Sequence, residues 1–145
     1  MFARRFFTDQ EQQMIVEAIK AAELKTSGEI RVHLESFCLG DPLKRAEKIF
    51  AKLGMHRTAE RNGVLIYIAL RSRKLAVAGD AGIHARLSSE YWTKIVENLV
   101  TGFKQERKAE ALAACILECG QQLARYFPRK SDDKNELDNS ISFRS

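Results

Sequence analysis

With 145 residues, 45% of them hydrophobic, the chain is long enough to bury one core and too short for two ordinary domains. Its 24 Lys and Arg against 19 Asp and Glu leave a formal charge of +5, but the cations are interleaved with acids and form no basic stripe with aromatics, so no nucleic-acid partner is expected. No apolar run reaches the roughly 18 residues of a membrane span, "MFARRFFTDQ" has no leader-like segment, and three cysteines form no paired pattern, which together predict a cytoplasmic, monomeric protein not inserted in a membrane.

Thr8 and Glu11 have capping-box spacing, and Met14, Ile15, Ala18, Ile19 and Ala22 follow at intervals of three and four, predicting a helix over 8–25. Gly28 follows and is expected in the left-handed conformation that ends a helix. "EIRVHLESF" then alternates, so Ile30, Val32 and Leu34 should face a core from a strand, with His33 on its polar side. Asp41 and Pro42 read as cap and first residue of a second helix over 42–54. "GVLIYIAL" is apolar throughout, as befits a central strand covered on both faces, and "LAVAG" lies close enough to pair with it as a hairpin. From Leu87 to Phe127 the pattern is helical, started by Ser88-Ser89 and broken near Gly102 or "KQERK". Cys115 and Cys119 fall on the second of these helices and read as small buried hydrophobes rather than metal ligands, since no further ligand has the right spacing. The chain is therefore divided into a folded domain, 1–128, and a polar tail, 129–145, without periodicity and dispensable to the fold.

The order helix, strand, helix, strand, strand, helix, helix predicts a three-layer αβα sandwich whose small mixed sheet combines a parallel pair with an antiparallel hairpin strand. That topology brings the start of the first strand, the start of the second and the end of the third to one edge, so Glu29, Asn62 and Asp80 should converge. Two carboxylates and an amide carbonyl are hard oxygen ligands suited to calcium or magnesium, and Gly79 and Gly82 would let the backbone turn sharply and present carbonyls. Two plainer readings stand beside this one: Asp80 as a turn residue or helix cap, and Arg61 as its ion-pair partner. No Walker loop, GxGxxG, HExxH or nucleophile elbow is present, and His33, His56 and His84 are isolated and expected at the surface.

The segments "SGEIRV", "RNGVLIYIA" and "AVAGDAGI", with "YWTKI" and "YFP" further on, make Phe7 to Pro128 resemble a stand-alone bacterial member of the TPM domain family. That family includes thylakoid-lumen proteins linked to photosystem II repair and a nematode receptor-modulating membrane protein. The resemblance implies an αβα sandwich, a divalent-cation site in the loops at one sheet end, and a phosphatase label taken from plant lumenal members. Glu29 falls at the family's "GEI" position, Asn62 and Gly63 at its "NG", and Asp80 with Gly82 at its "GD.G".

Three functions follow as expectations. The favoured one is a calcium- or magnesium-binding adaptor or sensor that meets a protein partner or a small phosphorylated ligand. A metal-dependent acid phosphatase acting on monoesters, with Arg61 on the phosphate, is the second. A metal-free interaction domain is the third. No Asp, Ser or Cys nucleophile is recognisable beside a general base, so no catalytic residue is assigned.

Overall fold

A computed structural model of the chain describes residues 2–129 and 141–144. Helix α1 (Phe2–Arg5) leads into α2 (Asp9–Glu23), β1 (Glu29–Glu35), α3 (Pro42–Lys52), a 3-10 turn (Met55–Arg57), β2 (Gly63–Ala69), β3 (Lys74–Gly79), α4 (Ala81–His84), α5 (Ser89–Lys104), α6 (Lys108–Tyr126) and β4 (Ser142–Arg144). The sheet runs β3-β2-β1-β4, with β2 and β4 parallel to β1 and β3 antiparallel to β2.

The local signals act as their chemistry predicts. Thr8 accepts from the Glu11 amide while the Glu11 carboxylate accepts from the Thr8 amide, so two amides of the first turn are satisfied reciprocally. Asp41 accepts from the Leu43 amide with Pro42 in the first helical position, and Ser88 accepts from the Tyr91 amide. The break between α5 and α6 falls at Gln105–Arg107, not at Gly102, where an added Cβ would collide with that of Ala111.

Every residue of β2 is buried. Val64, Ile66 and Ile68 face the larger core, shared with Ile30, Val32 and Leu34 of β1 and with the inner stripes of α2, α5 and α6. Leu65, Tyr67 and Ala69 face the smaller core under α3, with Ile49, Phe50 and Met55. Helices thus lie on both sides of one mixed sheet, a three-layer αβα sandwich. Cys115 and Cys119 are buried free thiols in the larger core.

Three local expectations need correction. The sheet has a fourth strand, because Ile141 is buried and Ser142–Arg144 hydrogen-bond along β1; residues 130–140 of the expected tail lie outside the described residues. Gly28 is not left-handed: Thr26 closes the connection by donating to the Phe127 carbonyl and accepting from the Gly28 amide, and Gly28 is small because a Cβ would come 3.0 Å from Leu123. His33 is buried rather than exposed, since Ser142 of β4 meets its Nδ1 and the Tyr67 ring of β2 stacks beside it on the side of β1 that the alternation assigned to solvent.

Candidate functional site

The topology brings the amino ends of β1 and β2 and the carboxyl end of β3 to one edge of the sheet. Glu29 pairs across from Gly63, Val64 from Gly79, and the Asp80 amide donates to the Gly63 carbonyl at 3.0 Å. Glu29, Asn62 and Asp80 are all buried there, at 3%, 1% and 4% exposure, so this edge carries polar groups at core-like depth.

Their side chains form two separate clusters. Asp80 caps α4 by accepting from the Ala81 amide at 2.8 Å, and Arg61 grips both of its oxygens, Nε to Oδ2 and Nη2 to Oδ1, each at 2.9 Å. Burial would raise the Asp80 pKa, but the Arg61 fork, the Ala81 amide and His56 outweigh it and hold the carboxyl below its usual range. The Nδ1 of His56 stands 3.1 Å from both Asp80 Oδ1 and Arg61 Nη2, and its ring packs edge-on against Phe50 at 4.7 Å. Arg61 is half exposed and holds a left-handed backbone, φ +52°, which an arginine adopts only when its surroundings impose it. The cap and ion-pair readings of Asp80 are therefore both realised.

The second cluster joins Glu29 to Glu23, the last residue of α2. Glu23 accepts from the Ile30 amide at 2.9 Å, and its carboxyl group hydrogen-bonds that of Glu29. Burial, then the hydrogen bond to Glu29, push the Glu23 pKa up to about 9, so at neutral pH this pair shares one proton. Asn62 donates its amide to Ser27 Oγ and Glu60 Oε2, both at 3.3 Å, while its own Oδ1 is buried with no hydrogen-bond donor. Among the described residues, no three His, Cys, Asp or Glu side chains are grouped so as to hold a metal ion.

Gly79 and Gly82 serve close packing; neither has a positive φ. Gly79 lies in the β2–β3 ladder, where a Cβ would stand 2.9 Å from Ile83. Gly82 presses α4 onto the 60–61 loop: a Cβ would clash with the Glu60 carbonyl and come within 2.7 Å of that of Arg61. The structure thus joins α4 to the loop carrying Arg61 through backbone, a contact that only glycine permits.

Sequence reasoning missed Glu23, although a signal existed: it continues the row Ile15, Ile19 at intervals of four on the buried side of α2. It also missed His56, which has no periodic signal. At the opposite sheet end it missed a network around buried Glu35. Arg45 donates to that carboxylate through Nε at 2.9 Å and Nη2 at 2.8 Å, Tyr67 donates its hydroxyl, and His33 Nε2 lies 3.7 Å away with its Nδ1 on Ser142 Oγ at 2.8 Å.

A mixed four-stranded sheet with buried polar loops at one edge defines the class, and comparison with known proteins supplies the family. The family model of the TPM domain matches residues 3–122, and the chain belongs to that family. The NMR structure of BA42 protein from the psychrophilic bacterium Bizionia argentinensis is similar to it with a TM-score of 0.90 and 41% identity, over 97% of each chain. The fold also resembles an N-terminal domain of a P. gingivalis protein (TM-score 0.68, 19% identity, 85% of this chain and 80% of that one). The N-terminal domain of cg2496 from Corynebacterium glutamicum is similar as well (TM-score 0.62, 15% identity, 93% and 79%). No curated protein matches the chain. No helix among the described residues is long and apolar enough to cross a membrane.

Proposed function

We propose that this TPM domain binds a divalent cation, calcium or magnesium, through the loops at the Glu29–Asn62–Asp80 edge, and that it works as an adaptor or sensor whose loop surface changes with the ion. The observation that carries the reading is Asn62 Oδ1, a carbonyl oxygen buried to 1% exposure without a donor, on an edge that also carries the carboxylates of Glu29 and Asp80. A buried acceptor left without a partner costs about 1–3 kcal/mol, and a hard cation is a natural occupant for it.

The residues fit the ion on one condition. Asp80 is satisfied by Arg61, so it becomes a ligand only if the guanidinium swings away, which the half-exposed position of Arg61 permits, and the same condition holds for Glu29, whose carboxyl group must give up the proton it shares with Glu23. Glu29 and Asn62 would hold the ion, Asp80 would join them on release, and Gly79 and Gly82 would keep the loops close enough to act together. Exchange of Arg61 for an ion would free a cationic side chain at the surface, a change that a protein partner or a phosphorylated ligand can read. The phosphatase alternative gains nothing from the geometry of this edge, since Arg61, the residue expected on the phosphate, is spent on Asp80.

The test is an amide-resolved titration of the full chain with calcium and with magnesium. Saturable shifts at 27–29, 60–63 and 80–82 are expected, with Glu29→Gln removing most of the response and Asp80→Asn weakening it. No saturable response to either ion in the millimolar range, or one confined to other loops, would overturn the reading.

A further inference from the structure

The opposite end of the sheet carries a cavity of about 440 Å³ beside the carboxyl end of β2, lined by the β2–β3 turn, the end of α5, the start of α6 and Phe6. Ligand pockets of globular proteins begin at about 300 Å³, and in open α/β sheets they gather at the carboxyl ends of the parallel strands. The walls are apolar: Phe6, Leu70, Leu75, Val100 and Phe103 line them and remain only partly buried. The mouth is cationic. Arg73, Lys104 and Lys108 stand on it against one acid, Glu106. Lys108 Nζ lies 5.5 Å above the Phe6 ring, and no ion pair engages Arg73 or Lys104 among the described residues. Lys74 also lines the cavity but sends its Nζ away, to the carbonyls of Cys38 and Gly40.

Two further observations concern the same mouth. The 19-residue helix α6 begins here with no side-chain cap on its first turn, adding the partial positive charge of its amino end. Of the three non-glycine residues with positive φ among the described residues, two, Arg73 at +54° and Glu106 at +60°, sit on this rim. Glu106 ends α5, where the Arg107 amide reaches back to the Gly102 carbonyl, and Arg73 closes the β2–β3 turn, so both rim side chains are carried by tight turns.

We propose that this cavity binds a small amphipathic anion: an aliphatic or aromatic body filling the apolar walls, with one carboxylate or phosphate group at the cationic mouth between Arg73 and Lys104. The site is separate from the Asp80 edge and does not depend on cation binding there. Apolar burial supplies the attraction for the body, and the three cations select the head.

Octanoate, octyl phosphate, 1-octanol, octylammonium and inorganic phosphate are titrated separately into the isotope-labelled full chain. Octanoate and octyl phosphate should shift the amides of 70–75 and 100–108 saturably, each binding about tenfold more tightly than octanol or octylammonium, as charge attraction near a surface provides. The better of the two identifies the head group as carboxylate or phosphate. Inorganic phosphate alone should give no saturable shift. Lys104→Gln and Arg73→Asn should each weaken the anions about two- to fivefold and leave octanol unaffected, while Val100→Trp should fill the cavity and abolish all binding without disturbing amides of β1. Equal affinity for octanol or octylammonium, shifts centred elsewhere, binding of phosphate alone, or indifference to Lys104→Gln and Arg73→Asn together would each overturn the proposal.

Discussion

Glu35 and Arg45 form an ion pair whose partners are unequally buried, and that inequality predicts an order of mutational costs. The Glu35 side chain is 3% exposed while that of Arg45 is 29% exposed, so folding takes the carboxylate out of water far more completely than the guanidinium. Arg45→Met leaves a buried carboxylate with the Tyr67 hydroxyl and the more distant His33 ring beside it but no full charge to balance it, and losing one partner of such a buried pair costs about 3–5 kcal/mol. Glu35→Gln leaves instead a guanidinium that can hydrate, and its amide oxygen still accepts from Tyr67, so about 1–3 kcal/mol is expected. The pH dependence follows from the sign of the shift. Arg45 and Tyr67 overcome the effect of burial and depress the Glu35 pKa, so the pair's stabilisation is present above the unfolded carboxylate value and is lost as pH falls through the lowered one. In Arg45→Met the carboxyl binds its proton at higher pH, and the deficit relative to wild type should shrink on acidification. Urea unfolding of both variants at pH 7 and pH 4, read as midpoints at constant slope, measures all of this. If Glu35→Gln costs as much as Arg45→Met, or the Arg45→Met deficit does not shrink on acidification, the carboxylate is not the desolvated partner and the reasoning fails.

Ile66 is fully buried in the central strand, so Ile66→Ala should cost about 2–5 kcal/mol in the same urea assay, and a cost under about 1 kcal/mol would contradict two-sided burial. Ile141 docks the last strand, and Ile141→Ala should cost about 2 kcal/mol, with faster hydrogen exchange at the β1 amides that β4 covers. Burial pulls the pKa of His33 down to about 4, so between there and the ordinary value near 6.5 the unfolded chain binds the extra proton and stability declines as pH falls, by at most about 1.4 kcal/mol per unit; His33→Gln should flatten that slope. If the loop edge takes a divalent cation, calcium or magnesium at a hundred times its dissociation constant should stabilise the fold by about 2.7 kcal/mol, visible as a raised melting temperature that a chelator reverses and Glu29→Gln largely removes.

The sequence by itself determined the main helices and the first three strands in their order, because those depend on signals a few residues long, while α1 and β4 carry no such signal. Thr8 with Glu11, Asp41 with Pro42 and Ser88 act on amides within their own first turns, and the unbroken apolar run from Gly63 to Ala69 permits nothing but a covered strand. It also brought Glu29, Asn62 and Asp80 to one edge, since a parallel pair followed by a hairpin leaves those ends no other place. What only the tertiary structure decided is which groups at that edge touch. Side-chain direction placed Arg61 and His56 on Asp80 and turned Glu29 toward Glu23, separating acids that topology alone leaves together. The same limit hid the burial of His33. Alternation along β1 marks two faces but cannot tell that Ser142 of β4, contributed from more than a hundred residues away, meets His33 on the second. Contacts between distant segments are set by packing that no local pattern encodes, and the cationic mouth assembled from Arg73, Lys104 and Lys108 is of that kind.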